Sequence, residues 1–130
     1  MKLRIRGSSI RLRLTKSEVG QIEAGKDVSD SLCFGGGVEL KYSLRPLDGA
    51  HAIEACFTSG HLDVSIPKIR ASQWAAAKDA VSLEHLQSNG HEDGLFLLIE
   101  KDFACLKPRD FGEDETDLFI NPNEAHGRCQ

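Results

Sequence analysis

The chain has 130 residues, 40% of them apolar and 28% charged, which is enough for one domain with a core of its own. Sixteen lysines and arginines against twenty acids leave a net charge of −4. That balance argues against a dedicated nucleic-acid binder, which carries a basic excess, and no apolar run approaches the ~20 residues of a membrane helix.

The chain opens MKLRIRGSSIRLRL. Apolar and basic residues alternate over 2–6 and again over 10–14, so the stretch reads as a hairpin of half-buried strands turning at Gly-Ser-Ser. TKSE follows, with Thr15 as cap and Glu18 three positions on, the capping-box pattern of a helix start. Val19 and Ile22 then face inward, and Gly25 ends the helix. VSDSLCF at 28–34 is a strand with Val28, Leu32 and Phe34 on one face. Three glycines turn the chain into VELKYSL at 38–44, with Val38, Leu40, Tyr42 and Leu44 inward. IEACF at 53–57 and LDVSI at 62–66 form a second hairpin about a Ser-Gly turn, and Pro67 suits the first turn of a second helix. Ile69, Trp74 and Ala77 recur there at helical spacing. A strand at 80–86, a turn-rich loop and the central strand LFLLI at 95–99 complete the core. The segments 15–27 and 67–79 echo one another at an offset of 52. The reading is an α+β fold, mostly antiparallel sheet or a small barrel, with two short helices and two pseudo-symmetric strand–helix–strand halves. Residues 1–106 form the core domain, and 107–130 an acidic, irregular tail.

Charge is polarised along the chain. Lys2, Arg4, Arg6, Arg11 and Arg13 share one face of the first hairpin, because residues two apart on a strand point the same way. Residues 110–124 carry six acids and no cation. Arg4, Arg6, Arg11 and Arg13 are therefore the candidate anion-binding residues, since guanidinium forks match phosphate and carboxylate oxygens. The anion is a small molecule, a protein partner or the chain's own acidic tail.

The C-terminal quarter holds the metal candidates. Cys105, His126 and Cys129 are of the right types for zinc, with Cys33, His91 or a tail carboxylate as fourth ligand. Asp102, Glu113, Asp114 and Asp117 could instead hold Mg²⁺ or Ca²⁺ through oxygen. Zinc or magnesium is thus the cofactor class on offer, with Cys105 beside a histidine as a nucleophile pair. No phosphate loop, nucleophile elbow or dinucleotide fingerprint occurs.

Two resemblances add to this. IRLRL is similar to a strand of the triphosphate-tunnel proteins of the CYTH superfamily. The alternating Glu-x-Glu-x-Lys of that family is replaced here by KLRIR. MKLRIRGSSIRLRLTKSEV, with the later LLIEKDFACLKPR and an acidic stretch ending in NPN, resembles a family of small bacterial proteins described only as a domain of unknown function. It implies a bacterial single domain and no activity. The expectation is a cytoplasmic binding or adaptor domain, with nucleic acid and membrane disfavoured as partners. The alternative is a phosphate-binding or phosphohydrolase-like enzyme with its metal on the C-terminal segment.

Overall fold

The structure is a computed structural model and describes residues 1–103 and Phe119. Eight strands and two helices follow in the order β1 (Lys2–Arg6), β2 (Ser9–Leu14), α1 (Lys16–Glu23), β3 (Val28–Gly35), β4 (Val38–Leu47), β5 (Glu54–Thr58), β6 (His61–Pro67), α2 (Lys68–Ala76), β7 (Ser82–Gln87) and β8 (Leu95–Lys101). They build two open four-stranded sheets rather than a closed barrel. One is ordered β1-β2-β8-β7 and the other β3-β4-β6-β5. In each, two antiparallel hairpins meet along a central parallel pair, β2 with β8 and β4 with β6.

The sequence echo is structural. Lys16 and Lys68 open the two helices, and the residues before them match at the same offset. Ile10, Leu12 and Leu14 are buried on β2, as are Leu62, Val64 and Ile66 on β6. Each half is a hairpin, a helix and a second hairpin. The halves are interleaved, because the two hairpins of one half lie in different sheets.

The helices carry the chain between sheets. Thr15 and Glu18 close a reciprocal capping box at the start of α1, satisfying two otherwise orphaned backbone donors. Glu18 also holds the Met1 amino group, which reaches Asp30 at 2.9 Å, while the Tyr42 hydroxyl donates to the Met1 carbonyl at 3.1 Å. These contacts tie β1 to β3 and β4. At another edge, the Gln87 side-chain amide on β7 both accepts from and donates to the Ala55 backbone on β5, at 2.7 and 3.0 Å.

One core draws on both sheets and both helices, with Leu12, Leu14, Ile22, Leu44, Ile53, Ile66, Leu97 and Ile99 fully buried. β8 is central, as the run LFLLI implies, and buries Leu97, Ile99 and Glu100, while Phe96 is exposed. Leu32, Phe34 and Val38 depart from expectation and are exposed. The β3–β4 hairpin extends beyond the core, so its far end has an apolar face with nothing packed on it among the described residues. Ile69 likewise faces outward at 74% exposure, and Ala71 and Trp74 carry the buried stripe of α2. The β5–β6 turn places Ser59 and Gly60 at positive φ, the paired left-handed geometry that two-residue hairpins need.

A candidate anion-binding face

The β1–β2 register pairs Lys2 with Arg13 and Arg4 with Arg11. Residues directly opposite share a face, so the alternation read in the sequence becomes a surface of five cations. Ile5 and Leu3 point to the other side with Ile10 and Leu12. Like charges directly opposite one another on a sheet are destabilising, so this face needs an acid nearby.

Glu100 supplies it. β8 lies parallel to β2 with Glu100 opposite Arg13. Arg13 donates through Nε to Glu100 Oε1 at 2.8 Å, and Arg11 Nε lies 3.3 Å from the same oxygen. Glu100 is buried. A buried carboxylate persists when it is paired, and here two guanidiniums share it. Lys2 Nζ meets Asp102 Oδ2 at 3.0 Å, just past the end of β8. None of Arg4, Arg6 or Arg11 lacks a partner. Arg4 and Arg6 remain exposed, whereas Arg11 and Arg13 are half-buried.

The structure thus brings Arg4, Arg11, Arg13 and Lys2 onto one face and adds Glu100, which composition alone does not single out. Its signal was the parity of LFLLIEK: Glu100 shares a face with Leu98, opposite to Ile99. Asp102, a candidate metal ligand, lies beside Lys2. Cys105, Glu113, Asp114, Asp117, His126 and Cys129 lie outside the described residues. Among the described residues no three histidines, cysteines or acids converge on one point. Cys33 and Cys56 are exposed free thiols.

The second sheet holds a polar arrangement that the sequence pattern does not single out. Ser29, Ser43 and His61 lie side by side on β3, β4 and β6. The Ser29 hydroxyl donates to Ser43 Oγ at 3.0 Å, and Ser43 Oγ lies 2.7 Å from His61 Nε2. Beside them Arg45 makes two contacts to the Asp63 carboxylate, at 2.9 and 2.6 Å. That carboxylate raises the Arg45 pKa through hydrogen bonding and charge. Only cross-strand register unites these residues, and no spacing within one strand announces it.

Among the described residues no helix is long and apolar enough to cross a membrane. No curated protein and no solved structure matches the chain. A family without an assigned function does match: the model of the Family of unknown function (DUF7009) covers residues 1–123, and the chain belongs to that family.

Proposed function

We propose that this is a binding or adaptor domain whose β1–β2 face takes an anionic partner. The observation that carries the reading is the pairing of Lys2 with Arg13 and Arg4 with Arg11, two like-charge pairs set directly opposite each other. A face built only for stability would alternate signs, because opposed like charges cost free energy. Glu100 compensates the inner arginines and leaves the outer row, Lys2, Arg4 and Arg6, more exposed. An incoming anion displaces the partners this row already holds, so binding is an exchange of ion pairs. The acidic stretch 110–124 has the charge to compete for the same face.

A thermal-shift screen of the full chain with pyrophosphate, triphosphate and an acidic peptide tests this. Ligands that bind the folded state raise the melting temperature by mass action. The reading expects stabilisation by anions that fades with salt and is lost in Arg4→Glu/Arg6→Glu. A flat response to all three anions would remove it. Repeating the screen with Mg²⁺ or Zn²⁺ separates it from a phosphohydrolase, whose response would depend on the metal.

A further inference from the structure

Leu14 and Lys101 are the last residues of the parallel strands β2 and β8 and lie in register. After them the chain diverges, into α1 from β2 and to Asp102 and Phe103 from β8. A cavity of about 530 Å³ opens there, between α1 and the end of α2. Its volume is within the range of small-molecule sites. Leu14, Val19, Ala75, Ala76 and Phe103 line it, so the surface is largely apolar.

Charge says what kind of molecule fits. Lys16, Lys78 and Lys101 border the cavity, with Glu23 and Asp102. Lys101 is committed: its ammonium donates to the Ala77 carbonyl at 2.5 Å and sits 5.5 Å from the Trp74 ring centre. Asp102 is held by Lys2. Lys16, Lys78 and Glu23 make no ion pair among the described residues, so the uncommitted charge at the cavity is two cations against one acid. The other half of the fold offers a direct contrast. There Lys68, the equivalent of Lys16, pairs with Asp48 at 3.6 Å and lies across Gly25.

Gly20 is the independent sign that the space is kept open. It lies inside α1, where glycine weakens a helix relative to alanine. Its φ is not positive, and a Cβ there would meet nothing within 4 Å. Among the described residues, neither backbone conformation nor packing requires glycine at this position. It borders the cavity, so any larger side chain there adds bulk at the edge of that space.

We infer that this cavity binds a small amphiphilic carboxylate. Its aliphatic body lies against Leu14, Val19 and the alanines of α2, and its carboxylate meets Lys16 and Lys78. The site touches the cationic face through the Lys2–Asp102 pair, but its assignment does not rest on anion binding by the arginines.

Decanoate titrated into the full chain, followed by ¹H–¹⁵N NMR, tests this, with decanol and decyltrimethylammonium as neutral and cationic controls. The expected result is saturable shifts at residues 16–23 and 75–78, at least tenfold tighter for decanoate than for either control. Gly20→Leu fills the space while favouring the helix, and it should keep the fold and lose at least tenfold in affinity. Lys16→Gln/Lys78→Gln should weaken decanoate and leave decanol unchanged. Absence of saturable shifts, equal binding of the cationic control, or undiminished decanoate binding by both variants would overturn the assignment.

Discussion

Arg45 and Asp63 face each other across the parallel pair β4–β6, and the equivalent positions of the other sheet, Glu100 and Arg11, carry the reverse charges. The fold uses one geometry twice with opposite polarity. The polarity is therefore not fixed by the backbone. It decides which face is basic: the Arg11 side adds to β1, while the Asp63 side neutralises Arg45.

Exchanging the polarity of the second pair should be tolerated. Arg45→Glu alone sets two acids together and should cost about 1–2 kcal/mol. Adding Asp63→Arg should recover most of that, because the swapped pair copies the arrangement at Glu100 and Arg11. Urea unfolding of both singles and the double gives the coupling energy. A double variant no better than the sum of its singles would contradict the equivalence of the two sites.

Glu100→Gln removes the buried carboxylate shared by Arg11 and Arg13. Losing hydrogen bonds to a charged group costs about 1.5–3 kcal/mol, and here like-charge repulsion adds to it. The loss should shrink in high salt, which screens the remaining arginines. A salt-independent loss would mean that Glu100 acts through packing instead.

Gln87 joins β7 to the backbone of β5 by two hydrogen bonds. Gln87→Ala leaves the Ala55 N–H and carbonyl without that partner. It should lower stability by about 1–3 kcal/mol and raise amide exchange at Ala55 more than at Leu97.

The Met1–Glu18 contact gives a pH dependence with two limbs. Burial acts to raise the Glu18 pKa, and hydrogen bonds from the amino group and Thr15 outweigh it, so the net shift is downward. Burial acts to lower the pKa of the Met1 amino group, and the Glu18 and Asp30 carboxylates outweigh it, so the net shift is upward. A lowered acid stabilises fully above its ordinary pKa of 4.5, and that contribution is lost as pH falls through the lower folded value. A raised amine stabilises fully below its ordinary 8.0, and that contribution is lost as pH rises through the higher folded value. Urea midpoints should therefore be flat between about pH 5 and 8. Glu18→Gln should lessen both slopes. Unchanged slopes in that variant would place the titrating groups elsewhere.

Much of the architecture could be read from local pattern. Strict alternation revealed the β1–β2 hairpin, and TKSE announced the cap of α1. The echo between 15–27 and 67–79 pointed to the two halves. Alternation assigns a residue to a face but does not say whether anything covers that face. Leu32 and Phe34 were placed on one face with Val28, which is buried, and Val38 was expected inward, yet Leu32, Phe34 and Val38 are exposed. Cross-strand chemistry was hidden for a related reason. Glu100 meets Arg13, and Ser43 meets His61, only once register between distant strands is known. The arginine face was legible because all five of its cations belong to one hairpin.

The central claim is that this face binds anions. Isothermal titration of triphosphate into the full chain and into Arg4→Glu/Arg6→Glu, each at two salt concentrations, tests it most directly. The account predicts saturable binding by the unaltered chain, weaker at the higher salt and at least tenfold weaker in the variant. No binding by the unaltered chain, or equal affinity in the two proteins, would contradict it.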